Sequence, residues 1–131
     1  MTKEELADKM SKQSVLQELI SRGMNHYQKE AWETAIFPDC LGDYGQSIAY
    51  PALGLAGETG EVVELIKKAL RDNAGKVDKA NLKKELGDVL WYLGAIATQH
   101  DLSLGDIASA NLQKLADRKE RGTIRGKGNS R

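Results

Sequence analysis

Glu58 and Glu61 stand three residues apart in GETGEVVE, and Glu85 and Asp88 repeat that spacing in ELGDVLWYL. On an α-helix an i,i+3 pair projects from nearly one face. Both pairs lie within apolar periodic segments, where an unpaired carboxylate is costly to bury. Four such acids converging from two packed helices make a hard, oxygen-rich site suited to Mg²⁺. The plainer alternative is a solvated acidic face, or ion pairing with Lys67, Lys68, Lys83 or Lys84. Those lysines project mostly to other faces; Lys68 lies near the Glu61 row and is placed to contact either a carboxylate or a phosphate.

A helical wheel weighs against simple solvation. At about 100° per residue, Leu55, Val62, Leu65 and Ala69 share one stripe that includes Glu58. Glu61 flanks the stripe and Glu64 points further toward solvent. On the next helix Leu82, Leu86, Val89, Leu93 and Ile96 form the apolar seam. Glu85 borders that seam, Asp88 lies further round, and Tyr92 continues the acid row. Other chemistries fit poorly. Neither His26 nor His100 has Glu three residues before it, as a ferritin-like di-iron site needs. No P-loop, dinucleotide-binding glycine pattern or zinc motif is present, and Cys40 is the only cysteine. Gly57 and Gly60 interrupt the first acid helix, which raises its intrinsic cost but permits close helix approach.

The elements that position these acids are helical, with no convincing strand alternation. One helical region runs from Lys3 or Ser14 to Thr34, with Gly23 as a possible break. Residues Ile36 to Ser47 read as a loop, carrying Pro38, Asp39, Gly42, Asp43 and Gly45. Pro51 is expected near the first turn of a helix that reaches Arg71 or Asp72 and closes at Asn73 to Gly75. Asp78 reads as the N-cap of a helix to about Gln99. Ser103 and Asp106 have capping-box spacing before a last helix through about Glu120. Its face carries Asn111, Lys114 and Arg118 at i, i+3 and i+7, either a phosphate-contacting row or plain surface. Tyr27 and Trp32, earlier in the chain, are placed for core packing or for stacking on a base.

The 131 residues suit one domain, divided into a leading helical region and loop (1–47), core helices (48–120) and a Gly-rich basic tail (121–131). Lys plus Arg and Asp plus Glu both number 19, so bulk charge points to no nucleic-acid partner. From Lys114 to Arg131, seven basic residues face only Asp117 and Glu120, a local excess attractive to phosphate. The longest apolar stretch, Val89 to Ala97, is too short to span a bilayer, and a cytoplasmic protein is expected. Trp91 falls roughly opposite the seam. A helix apolar on more than one face needs a further covering surface, which predicts a homodimer or homotetramer with Trp91 at the interface.

GLAGETGEVVELIKKALRD followed by KKELGDVLWYLGAIA resembles the MazG family of all-α nucleoside triphosphate pyrophosphohydrolases. The family hallmark is ExxE, a spacer, then ExxD, supplied here by Glu58, Glu61, Glu85 and Asp88. NHYQKEAWETAIFPD resembles the leading helix of short MazG proteins, and ANLQKLADRKERG their last helix. The resemblance implies a helical bundle with a metal site between two central helices, completed by oligomerisation. It implies cleavage of a nucleoside triphosphate between its α and β phosphates, with the four acids binding Mg²⁺, or Mn²⁺ in its place. One of the Glu residues would also orient or deprotonate the attacking water. Tyr92 and Lys114 match phosphate-contacting positions; Asn111, Arg118 and Arg121 are further substrate-binding candidates. The C-terminal GKGNSR departs from the usual GxGDxR, with Asn129 where Asp is common. Two alternatives stay open: a narrower enzyme for dUTP, a modified nucleotide or phosphoribosyl-ATP, and a non-catalytic helical interaction module.

Overall fold

The computed structural model describes residues 1–37 and 46–123, with Gln46 and Ser47 described by backbone alone. Most of the expected loop (Pro38, Asp39, Cys40, Gly42, Asp43 and Gly45) and the tail residues Arg125, Lys127, Asn129 and Arg131 lie outside them. The described residues form four helices and no strand, so the class is all-α as expected: α1 (Lys3–Trp32), α2 (Gln46–Asp72), α3 (Lys79–Gln99) and α4 (Leu104–Glu120). They divide into two compact units. The central unit, Gln28–Asp101, contains α2, α3 and the end of α1; the terminal unit joins Met1–Tyr27 to Leu102–Arg131.

In the central unit, α2 begins before Pro51, which sits one turn deeper than expected and is fully buried. The helix ends where the sequence predicts. Gly75 N–H reaches back to the Ala69 carbonyl at 2.9 Å, and Ala74 and Gly75 take φ of 48° and 81°. That is the left-handed closure that lets a helix satisfy its last carbonyls, comfortable for Gly and strained for Ala. The Asp78 carboxylate accepts the Ala80 and Asn81 N–H groups at 3.0 and 3.2 Å, starting α3. The short turn between them returns α3 along α2, and the two helices pack against each other.

The buried residues described here are Phe37, Pro51, Ala69, Gly94, Ala95 and Ala97. Leu55, Val62 and Leu65 are half-buried beside them, as the α2 stripe predicts. On α3 the expected seam is covered in part: Leu82, Val89 and Ile96 are half-buried, but Leu86 and Leu93 are 49% and 42% exposed, whereas Glu85 and Tyr92 are half-buried. The large Trp91 ring is half-buried as well, and of the acid row Glu85 is half-buried while Asp88 stays exposed. Trp91 is engaged within the chain. Its Nε1–H donates to the Ala31 carbonyl at 3.1 Å and to Thr34 Oγ1 at 2.8 Å, tying the end of α1 to α3.

In the terminal unit α1 runs unbroken through Gly23. Ser103 caps α4, accepting the Asp106 N–H at 3.1 Å, and its hydroxyl donates to Asn25 Oδ1 at 2.7 Å. The same Asn25 oxygen accepts the Gly105 N–H at 2.8 Å. A Cβ on Gly105 would lie 2.5 Å from the Ser21 carbonyl oxygen, so only glycine admits this close approach of α4 to α1. Among the described residues no helix is long and apolar enough to cross a membrane.

Candidate active site

Tyr50, Gly54 and Glu58 recur every four residues along α2 and share one face; Glu61 follows one turn beyond Glu58. From α3, Glu85, Asp88 and Tyr92 meet that face. One carboxylate oxygen from each of Glu58, Glu85 and Asp88 lies within 4.8 Å of the others. Glu58 and Glu85 are half-buried and Asp88 is exposed; Glu61 is exposed and falls outside this group of three.

Their electrostatics are those of an uncompensated cluster. Burial pushes the Glu58 carboxyl above its ordinary value, and the charges of Asp88, Glu85 and Glu61 push it further. Glu64, two turns of α2 toward its C-terminal end, shows the opposite behaviour. It pairs with Lys67 and with Lys68 (3.4 Å), and the Lys67 contact leads in holding its carboxyl below the usual range. Lys68 thus contacts a carboxylate, one of the two partners that its position suggests. Among the described residues no cation offsets Glu58. The three carboxylates offer hard oxygen donors with no nitrogen or sulfur among them, a set that fits Mg²⁺ or Mn²⁺.

Two of the three acids border a cavity of about 610 Å³, within the size range of small-molecule sites. Glu58 and Asp88 line one side; Phe37, Tyr50, Trp91 and Tyr92, with Thr34 and Ile36, form the rest. Phe37 stacks on Tyr50 at 5.2 Å between ring centres and meets Trp91 edge-on at 6.3 Å. Trp91 in turn meets Tyr92 edge-on at 5.0 Å. Burial raises the Tyr92 phenol above its ordinary value, and Tyr50, Glu58 and Asp88 add to the rise. It stays protonated at neutral pH and is a hydrogen-bond donor beside the acids.

Gly54 sets the position of that ring. A Cβ there would overlap Tyr92 Cε1 and Cζ and come within 2.7 Å of Cδ1. At Gly57 and Gly60, where the sequence reading expects close helix approach, a Cβ would meet nothing within 4 Å. The close approach is real and one turn earlier than expected.

Of the substrate-binding candidates, Tyr92 lines the cavity. Asn111, Lys114 and Arg118 lie on α4, and Arg121 forms its C-cap, all in the terminal unit. Arg118 is half-buried and the other three are exposed. Sequence reasoning missed Phe37, Tyr50 and Gly54. For the last two a signal was available: extending the Glu58 row backward by fours reaches both.

An all-α domain with an acid-bordered, aromatic-walled cavity at a helix pair is the class that this fold and site define. Comparison with known proteins narrows it. The family model for the MazG nucleotide pyrophosphohydrolase domain matches residues 46–123, and the chain belongs to that family. It is also similar to the Gene 37 protein of Mycobacterium phage L5, 43% identical over 111 residues that cover 80% of this chain and 96% of that protein. No solved structure matches.

Proposed function

We propose that the protein is a Mg²⁺-dependent pyrophosphohydrolase, with Mn²⁺ able to substitute, that converts nucleoside triphosphates to the monophosphate and pyrophosphate. The observation that carries this reading is the convergence of Glu58, Glu85 and Asp88, two of which, Glu58 and Asp88, line an aromatic cavity. A divalent cation bound there supplies the positive charge that a triphosphate and an attacking water require. Glu58, Glu85 and Asp88 hold it, with Glu61 as a fourth acid one turn away. A Glu of the cluster orients the water or takes its proton. Tyr92 donates a hydrogen bond to a phosphate oxygen, and the exposed part of Tyr50 offers a flat surface for the base. Asn111, Lys114, Arg118 and Arg121 join as phosphate contacts, a role that rests on the sequence resemblance.

The test is pyrophosphate release over a panel of NTPs and dNTPs, with and without Mg²⁺. Metal-dependent release of one pyrophosphate per monophosphate supports the reading; turnover confined to one member marks the narrower enzyme. No turnover on any member, metal present, overturns it in favour of an interaction module.

We also propose that the protein works as a homodimer or homotetramer. Leu53, Val63 and Leu70 on α2 are 72%, 57% and 68% exposed, and Leu86 and Leu93 on α3 are 49% and 42% exposed. Side chains of this kind in such number mark an association surface.

A further inference from the structure

We propose that Gly54 is a positioning residue for nucleotide binding: its missing side chain lets the Tyr92 ring lie across α2 and present its hydroxyl to the triphosphate. The inference rests on the hydrolase reading above and adds to it a residue that carries no functional group. Three observations support it. The ring occupies the space of the missing side chain, since a Cβ on Gly54 would overlap Cε1 and Cζ. Trp91 meets the ring edge-on at 5.0 Å, so Tyr92 touches both α2 and an indole that is itself anchored on Ala31 and Thr34. Gly54 also stands one helical turn from Glu58 on the same face, so the ring lies along the row that leads to the carboxylates. A glycine in a helix interior is otherwise a liability, because alanine would hold the helix better. Gly57 and Gly60 have open space around them; at Gly54 the structure shows what the space is for.

The mechanism is geometric. Gly54→Ala forces the ring off α2, and the hydroxyl leaves the triphosphate while the carboxylates stay in place. A hydrogen bond to a charged partner contributes to ground state and transition state alike, so its loss appears in KM more than in kcat.

The experiment is a kinetic double-mutant cycle of Gly54→Ala, Tyr92→Phe and the double variant, with Mn²⁺ affinity measured on each. Each single variant should raise KM about ten-fold with kcat within about three-fold, and the double variant should be no worse than the poorer single. Mn²⁺ affinity should stay within about two-fold of wild type throughout, because no metal-binding charge has changed. Additive losses, or a fall in kcat at unchanged KM, overturn the proposal, since a general helix distortion would act that way. Wild-type KM in Gly54→Ala overturns it as well. If Gly54→Ala does not fold, Gly54→Ala/Tyr92→Ala decides: with the ring gone, alanine should raise Tm a few degrees above Tyr92→Ala alone. A lower Tm there overturns the packing argument. A wild type inactive across the panel removes the hydrolase reading and this role with it; an active wild type with an additive cycle removes only the coupling of Gly54 to Tyr92.

Discussion

Glu58 carries opposing demands. Its carboxyl titrates above the ordinary value because burial and three neighbouring acids disfavour its charge. The folded state therefore binds that proton more tightly than the unfolded chain does. Its favourable contribution is present below the ordinary carboxylate pKa and is lost as pH rises through the raised one, leaving a net cost at neutral pH. Removing that charge should stabilise the metal-free protein while destroying the site. Glu58→Gln is expected to melt higher than wild type in EDTA. Both Glu58→Gln and Glu85→Gln should lose turnover by about a thousand-fold, the several kcal/mol that a cation's charge supplies. Mg²⁺ at about 100 times its Kd should stabilise wild type by about 2.7 kcal/mol and leave Glu58→Gln unmoved. Full activity in both variants, or an equal response to Mg²⁺, would defeat the metal assignment. Lys114→Ala is a gentler change. It should raise KM for the triphosphate about ten-fold with circular dichroism unchanged, and an unaltered KM and kcat would remove Lys114 from the site.

At the scale of the helices, the joint between α1 and α4 turns on Asn25, whose side-chain oxygen accepts from both Ser103 and Gly105. Asn25→Ala leaves the partly buried Gly105 N–H without that acceptor and should cost about 1–2 kcal/mol in urea unfolding. A midpoint within error of wild type would show the joint to be immaterial. Asp78 and Ser103 were readable as caps because each satisfies backbone donors within three residues of itself, a purely local event. The inward placement of Glu58 was readable because its stripe is aliphatic. The outward turn of Leu86 and Leu93 was not. Periodicity reports which side chains are apolar, whereas α3 is oriented by which of its rings find partners on other elements. Trp91 illustrates this: its Nε1–H partners, Ala31 and Thr34, lie 60 and 57 residues away. Gly54 escaped for a related reason, since the value of an absent side chain depends on a ring contributed by another helix.

For the whole molecule, association is the sharpest open expectation. Light scattering at micromolar concentration should give a multiple of the 14.4 kDa chain mass, and Leu53→Glu with Val63→Glu should shift it toward the monomer. A monomeric wild type would rule association out. The division into units has another consequence, in time. Residues 28–101, which hold every described side chain lining the acid cavity, are continuous in sequence, whereas the terminal unit is assembled from both flanks. Asn25 meets Ser103 and Gly105 across 78 and 80 residues, and such distant closures are entropically later than the short return of α3 on α2. On the ribosome, where synthesis proceeds at about 5–20 residues per second, residues 28–101 emerge ahead of α4. The part of α1 that carries Asn25, made well before α4, must then wait for Ser103 and Gly105 to find its partner.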